Sequence, residues 1–493
     1  MMKKLLALIL CLCFALGGCA QTVAPDGGEG SVQPDASGPS SAPVAADTFE
    51  KLALGLAALP ELPEQPDENA LWEKLEGLSA EEQDQLWSEY DAQYTAYREA
   101  MAALRGEGVD ALYTPAFVDY TLRTARQLME NETEKNVVYS PANLYLALCM
   151  LAETTDGESR AQVLDLLGLS SVEEARSAAN ALWRNLYNDS ATGKTLLANS
   201  LWLNDQFDFK QDTVDTLTSD YFASAFRAAM GDKATDAAIH EWINENTNGL
   251  LADAANGLET KPETLLMLIS TLYFKGTWAD QFETFNTGED VFTNAQGEEQ
   301  RVDFMRKNEK GSYYRVGGCT VASLPFMDGT SMWFLLPDEG AKLSDIWQLT
   351  WNLPMLAVDT AEGGYEIPDL ASLAEAGYAD IHWSVPKFDV SSDLDLIPAL
   401  EALGVSDVFG DDADFSPLTD LDALVSAVEH AARVKVDEEG CEAAAFTAIS
   451  FETTSALVEP LPVVEMDLNR PFGFLITGAD GLPLFMSVVN TME

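Results

Sequence analysis

Apolar positions along the chain fall into distinct regimes, and each predicts a different kind of element. Leu5 to Leu16 is a nearly unbroken apolar run behind Lys3-Lys4, and it closes in Leu16-Gly17-Gly18-Cys19. A short positive stretch, an apolar stretch and small residues before a cleavage point predict an export leader, and the run is too short to span a bilayer well. From Gln21 to about Asp47, Gly, Pro, Ser, Ala and Asp dominate, which predicts a flexible tether. Phe49 to Leu104 reads as helical. Leu71, Trp72, Leu75 and Leu78, then Leu86, Trp87, Tyr90, Tyr94 and Tyr97, recur at helical spacings. Ser79 with Glu82 is a capping-box signature, and Pro60, Pro63 and Pro66 set off a first short helix. Packing is the leading reading of the aromatic stripe, a ligand platform the lesser one. The expected boundaries are 1–18 leader, 19–48 tether, 49–112 helical extension and 113–493 main domain.

The main domain opens with a helical pattern (Phe117, Tyr120, Leu122, Leu128) and then Asn136-Val-Val-Tyr-Ser-Pro141, a short strand stopped by proline. Leu144 to Leu151 is nearly all apolar and predicts a central helix; further helices are expected near 158–168, 171–187, 211–222 and 234–247. Leu265 to Phe274 is apolar at almost every position. That fits a strand covered on both faces or a buried helix, and its β-branched and aromatic end favours strand. Later segments read mostly as strands: 311–316, 319–325, 331–336, 381–388, 430–436, 472–476 and 484–489. Helices near 343–349, 370–376 and 396–403 interrupt them. Helices first and strands later predict an α+β domain rather than regular βαβ winding.

Composition narrows the partners. Across 493 residues, 28 Lys and Arg face 81 Asp and Glu, a formal charge of −53, which disfavours nucleic acid and bare acidic membrane surfaces. Cys19 after Leu-Gly-Gly resembles a bacterial lipobox, whose thiol is diacylated; this implies a lipid anchor and, since Ala20 offers no acidic retention signal, an extracellular location at the bacterial cell surface. Cys149, Cys319 and Cys441 remain beyond it, enough for one disulfide and too few for a disulfide scaffold. His240, His382 and His430 form no metal-binding pair. No Gly-x-Ser-x-Gly elbow or phosphate-cradling loop appears. The expectation is therefore a protein with no catalytic residues, no metal and no cofactor.

The unusual segment runs from Val434 to Pro460. A β-patterned stretch leads into Glu438-Glu439-Gly440. Small, proline-free residues follow, then Thr, Ser and β-branched residues with alternation at Ile449 and Phe451. Small side chains after a glycine let a backbone pass close to other strands, and the lack of proline leaves every N–H free for a ladder. The inference is a loop that could become a strand, and one whose extended backbone a protease could bind by β-type pairing.

These residues, with others spread in order from about Phe117 to Asn490, resemble the serpin family of serine protease inhibitors. The similar motifs are Asn136–Pro141, Trp242 with Thr247-Asn248-Gly249, Leu265–Trp278, Leu324-Pro325-Phe326, Met332–Pro337, Val385–Phe388, Leu400–Gly404 with Phe409 and Ala413–Ser416, Arg470-Pro471-Phe472 and Leu484–Met486. Glu438, Glu439, Gly440, Cys441, Glu442, Ala443, Ala444 and Ala445 resemble the family's loop hinge. The resemblance implies an α+β serpin fold: helices on a large central mixed sheet, additional sheets and an exposed reactive-centre loop at about 440–465. It also implies a suicide inhibitor, a monomer forming a covalent one-to-one complex with an endopeptidase of the serine, or cysteine, class. The alternative is a non-inhibitory binding or structural serpin.

The resemblance further assigns a scissile bond and a shutter. Counting from Glu438 places the bond at Thr454-Ser455; counting back from Pro471 points about six residues later, near Pro460. Phe451, Thr454 and Leu457 are recognition candidates. With no Lys or Arg between Cys441 and Asn469, an elastase-like or subtilisin-like target is favoured over a trypsin-like one. Ser140, Asn143, Ser270 and His430 match the shutter cluster, with the usual asparagine and serine at Ser270 and Asn143 either exchanged in role or forming a looser network. Two residues depart from the hinge pattern: Cys441 replaces threonine, and Phe446 is larger than usual, so insertion turns on whether Phe446 faces outward or finds room inside.

Overall fold

A computed structural model describes residues 6–12, 49–341 apart from short breaks at 58, 61–62, 67, 76–77, 106–113, 131, 191 and 256, then 375–441 and 461–492. The lipidation candidate Cys19, the tether, the helix expected near 343–349 and the loop residues Glu442 to Leu457 lie outside the described residues.

The strands are β1 (Leu6–Leu12), β2 (Ala53–Gly55), β3 (Val137–Tyr139), β4 (Asn188–Asp189), β5 (Gly193–Asn204), β6 (Ala223–Ala228), β7 (Thr264–Thr277), β8 (Gly288–Thr293) and β9 (Glu299–Val316). They continue with β10 (Cys319–Pro325), β11 (Ser331–Pro337), β12 (Glu375–Pro386), β13 (Phe388–Asp395), β14 (Ala423–Val436), β15 (Gly440–Cys441), β16 (Val463–Asp467), β17 (Phe472–Thr477) and β18 (Pro483–Val489). The helices are α1 (Glu68–Leu75), α2 (Ala80–Arg105), α3 (Thr114–Met129), α4 (Pro141–Thr154), α5 (Gly157–Leu167), α6 (Val172–Leu186), α7 (Gln211–Asp220), α8 (Lys233–Asn246), α9 (Ala252–Ala255) and α10 (Ile397–Ala402).

Two large mixed sheets carry the fold. The first runs β13–β14, then β1 and β15 end to end in one interval, then β7–β5–β6–β2, with β4 beside β5. The second runs β16–β12–β9–β10–β11–β17–β18–β3, with β8 on β9. Helix α4 is buried at all of its positions and packs on β7 and β18, so it sits in the core that both sheets share. Its apolar surround explains how a helix without a polar face is stable. Ser140 caps it by accepting the Asn143 N–H at 3.2 Å, and Pro141 supplies the preset first turn. On the other face of the first sheet, Ile239, Trp242 and Ile243 of α8 pack with Met267 and Ile269 of β7, Trp202 of β5 and Phe226 of β6.

The region before the domain is helical only in part. Helices α1 and α2 form, with Ser79 and Glu82 making the capping box, and Trp72, Trp87, Tyr90, Tyr94 and Tyr97 make successive ring contacts, the first two edge-to-face, at 5.3–6.1 Å between centroids. Ala53–Gly55, expected within a helix, is instead the strand β2 on the edge of β6, where Phe49 packs edge-on against Phe226 at 5.9 Å. An open sheet edge gave this segment hydrogen bonds that a short isolated helix could not match. The residues Glu375–Ala376, expected to end a helix, open β12 instead, where they pair with Arg315 and Tyr314 of β9. Leu6–Leu12, within the expected leader, form β1, paired with β7 and β14. Cys149, Cys319 and Cys441 are buried thiols, none joined in a disulfide.

Candidate functional site

The sequence places two long strands, β7 and β14, side by side in the order of the first sheet, yet no ladder joins them directly among the described residues. Every described side chain of β7 except Lys275 is buried, so the strand presents paired backbone on one side and an interval on the other. At one end that interval is filled by β15, with Gly440 opposite Thr277 and Cys441 opposite Gly276, antiparallel to β7. Cys441 also stands opposite Val436 of β14. At the other end β1 fills it, running parallel to both neighbours, from Ala7 opposite Thr264 to Leu12 opposite Ser270 and His430. Between the two fillings lies a cavity of about 10 Å³, room for one water, lined by Ser140, Asn143, Leu272, Ala432, Arg433 and Phe485 among others.

The turn from β14 into β15 is fixed by several polar contacts. Asp437 accepts the Glu439 N–H at 3.0 Å through its carboxylate, and its own N–H donates to the Gly440 carbonyl at 2.9 Å. Trp278 clamps the turn from the side: its Nε1–H donates to the Asp437 carbonyl at 3.0 Å and its backbone N–H to the Glu439 carbonyl at 3.0 Å. Glu438 accepts from Lys387 Nζ at 2.7 Å and from the Thr287 hydroxyl at 2.9 Å. Burial acts to push the Glu438 carboxyl up, but the bonds from Lys387, its own backbone and Thr287 hold it below the ordinary range. Its bond to Glu438 in turn raises the Lys387 ammonium. Gly440 is required here because a β-carbon would lie 2.0 Å from the Gly276 carbonyl oxygen.

The four shutter candidates lie together beneath the interval. His430 is fully buried, and its Nε2 accepts the Ser140 backbone N–H at 3.0 Å. The ring proton therefore sits on Nδ1, which has no acceptor among the described residues. Burial pulls the His430 pKa down to about 3, so the ring is neutral. Asn143 Nδ2 donates to the Ser270 carbonyl at 3.0 Å, and the Ser270 hydroxyl donates to Asn143 Oδ1. Ser270 and Asn143 are thus joined by two bonds, one between side chains and one from the Asn143 amide to the Ser270 backbone carbonyl.

Of the sequence candidates, the structure brings Glu438, Glu439, Gly440 and Cys441 to one end of the interval and Ser140, Asn143, Ser270 and His430 to its middle. Lys387, Thr287, Asp437 and Trp278 were not singled out as hinge contacts by sequence reasoning. Trp278 carried a signal, since it ends the apolar run of β7 where a clamp on the next turn is needed. Thr287 carried none. Among the described residues no group of His, Cys, Asp and Glu could hold a metal ion, and no helix is long and apolar enough to cross a membrane.

Comparison with known proteins agrees with this architecture. A family model described as Serpin (serine protease inhibitor) matches residues 116–492. Over 393 residues the chain is 28% identical to Serpin-Z1C of Triticum aestivum, covering 76% of this chain and 95% of that protein. It is 27% identical over 393 residues to Alpha-1-antichymotrypsin of Homo sapiens, covering 77% of this chain and 88% of that one. The crystal structure of the thermophilic serpin tengpin in its native state superposes with a TM-score of 0.66 at 27% identity, covering 78% of this chain and 95% of that one. The chain belongs to the serpin family, the serine protease inhibitors, and its α+β architecture is the serpin fold.

Proposed function

We propose that this serpin inhibits endopeptidases of the serine class by suicide, trapping the acyl-enzyme as its cleaved loop inserts between β7 and β14. The observation that carries this reading is the seating of Gly440-Cys441 in that interval, antiparallel to β7 and between it and β14. Continued residue by residue, the same ladder sets Ala443 opposite Phe274, Ala445 opposite Leu272, Thr447 opposite Ser270, Ile449 opposite Leu268, Phe451 opposite Leu266 and Thr453 opposite Thr264.

Side-chain direction in that ladder follows from the period of two. Leu266, Leu268, Leu272 and Phe274 face the shared core, as does Cys441, while Met267 and Ile269 face α8. Ala443, Ala445, Ile449 and Phe451 would therefore enter the core face, and Phe446, opposite Thr271, the face under α8. Phe446 then needs room beside α8 rather than within the core. Thr447 would arrive between Ser270 and His430, where its hydroxyl could accept the Nδ1–H. That gives a buried donor its partner and adds to the driving force for insertion. The ladder is used up at Thr453, at the first residue of β7, which supports Thr454-Ser455 over a bond near Pro460.

The protease serine attacks the Thr454 carbonyl, the Thr454–Ser455 peptide bond breaks, and Ser455 leaves as a free amine. Strand pairing and apolar burial then draw the acyl-linked protease away before water can reach the ester. No catalytic group on the inhibitor is needed, and each molecule acts once as a monomer in a one-to-one covalent complex. The absence of basic residues around the bond favours an elastase-like or subtilisin-like target. Lipidation at Cys19 would hold the inhibitor at the outer bacterial surface.

Incubation with a panel of elastase-like and subtilisin-like proteases tests the reading. The expected product is a denaturant-resistant covalent complex and a rise in melting temperature of the loop-cleaved chain. Clean cleavage with fully active protease would instead identify a non-inhibitory serpin.

A further inference from the structure

The turn into β15 offers three successive carbonyls, those of Asp437, Glu438 and Glu439, and one short segment reaches all of them. Trp278 donates its indole N–H to Asp437 and its backbone N–H to Glu439, each at 3.0 Å, and Phe282 donates its backbone N–H to Glu438 at 3.0 Å. Lys387 and Thr287 grip the Glu438 side chain instead. We infer that Lys307 of β9 is the positioning residue of this segment, and so governs how the cleaved inhibitor divides between trapping the protease and releasing it. The second half of that statement rests on the inhibitory reading above; the first concerns the segment alone.

The two ends of the segment are fixed by different means. At Trp278 the indole stacks on Phe326 at 4.4 Å between centroids, with 10° between the planes, and the Ala279 N–H donates to the Pro325 carbonyl at 2.9 Å. Toward Phe282 the polar anchor is Lys307. Its ammonium donates to the Asp280 carbonyl at 2.5 Å and lies 3.6 Å from the Asp280 carboxylate and 2.9 Å from that of Glu309. It also sits 5.0 Å from the centroid of the Phe282 ring. The lysine side chain is only 9% exposed, and a cation so covered needs partners of this kind to replace the water it has lost.

Strand alternation explains why the ammonium arrives there. Arg306 turns toward Asp290 of β8, at 2.6 Å, and Lys307 takes the opposite face together with Glu309 two residues on. Two carboxylates then share one cation. Without Lys307, Asp280 and Glu309 would repel each other, and Phe282 would lose the charge on its ring face. The segment would draw back from the turn and take the Phe282 N–H with it. Insertion grows from Gly440 and Cys441, already paired with β7, so a loosened turn delays the ladder. The peptide bond that the protease attacks lies elsewhere, and its cleavage rate is untouched. Trapping is a race between insertion and hydrolysis of the acyl-enzyme, so the delay sends more molecules down the substrate branch.

The test compares the wild type with Lys307→Met, with Lys307→Arg, and with Lys307→Met combined with Glu309→Gln. Before any protease is added, exchange of the Phe282 amide proton should quicken about tenfold in Lys307→Met, the scale of one lost bond to a charged group. The Trp278 amide, anchored by its own stack, should change much less, and β17 and β18 not at all. With a protease that the wild type traps, the loop should be cleaved at the same rate, while the number of inhibitor molecules consumed per protease rises at least about threefold. Lys307→Arg should restore both readings, because a guanidinium can meet the same carboxylates and the same ring. Glu309→Gln should recover part of the loss by removing the repulsion. An unchanged Phe282 amide, a quickening that extends to β17 and β18, an unchanged consumption ratio, or no recovery with arginine would each overturn the inference. A quickened Phe282 amide in a protein whose wild type traps no protease would leave the role of Lys307 in the segment standing and sink the inhibitory reading.

Discussion

The two sheets of this molecule are built from similar strands and differ in one respect. In the second sheet each strand from β16 to β3 is bonded to the next, so its backbone is satisfied and its position settled. In the first, β7 and β14 meet, among the described residues, only through short fillings at the two ends of their interval. The contrast teaches where free energy is held. A closed sheet has nothing to gain by change, whereas an interval lined by buried strand edges gains hydrogen bonds and apolar burial from any further strand it accepts.

Filling the interval incorrectly should have the largest effect. Cys441→Trp places a large ring at a position that is 3% exposed and bounded by β7 and β14. Overpacking of about 2–3 kcal/mol should unseat the hinge, and a denaturing gel should show rapid cleavage with little or no covalent complex. Gly440→Val should act alike, through its clash with the Gly276 carbonyl. Neither change should alter hydrogen-exchange protection in β17 and β18 of the closed sheet.

Next in size is the polar network under the interval. Ser270→Asn and Asn143→Ser, each alone, disrupt the side chain–side chain bond; together they restore one donor–acceptor match. The double variant should therefore lose less stability than the two single losses added, with a coupling of about 1–2 kcal/mol in urea unfolding. Additive losses would mean that the pair is not a unit.

His430 gives a pH signature. Its folded pKa of about 3 lies below the unfolded 6.5, so below pH 6.5 the unfolded chain binds a proton that the folded one refuses. Its contribution to stability is full above that pH and is lost as pH falls from 6.5 toward 3. The stability advantage of the wild type over His430→Asn should shrink by a few kcal/mol on going from pH 7 to pH 4, measured by urea midpoints. The smallest effect should come from Lys387→Ala. The pair with Glu438 is partly exposed on the lysine side, so about 1 kcal/mol is expected, seen as a small drop in melting temperature and a weaker dependence on salt.

Some of this was legible in the sequence and some was not. The hinge could be read because it depends on backbone constraints that leave marks: Gly440 where no β-carbon fits, small residues after it and no proline. The buried strand Leu265–Phe274 could be read because burial on both faces requires apolar residues throughout. Strand β5 left no such mark. Its buried Asn199, Ser200 and Asn204 bond the Tyr221 carbonyl, the Trp202 indole and the Thr264 carbonyl, partners that no local pattern reveals. Strand β13, Phe388–Asp395, hid for the opposite reason: an edge strand with six of its eight positions not buried carries too little alternation.

Strand β2 has a consequence of its own. By lying along β6 it occupies the outer backbone groups of the first sheet, with the Ala57 N–H bonded to the Ser224 hydroxyl just beyond. A chain shortened past Gly55 would present that border bare, ready to be matched by the same border of a neighbouring molecule. The segment Ala53–Gly55 thus works as a selvedge, keeping neighbouring molecules from knitting together sideways.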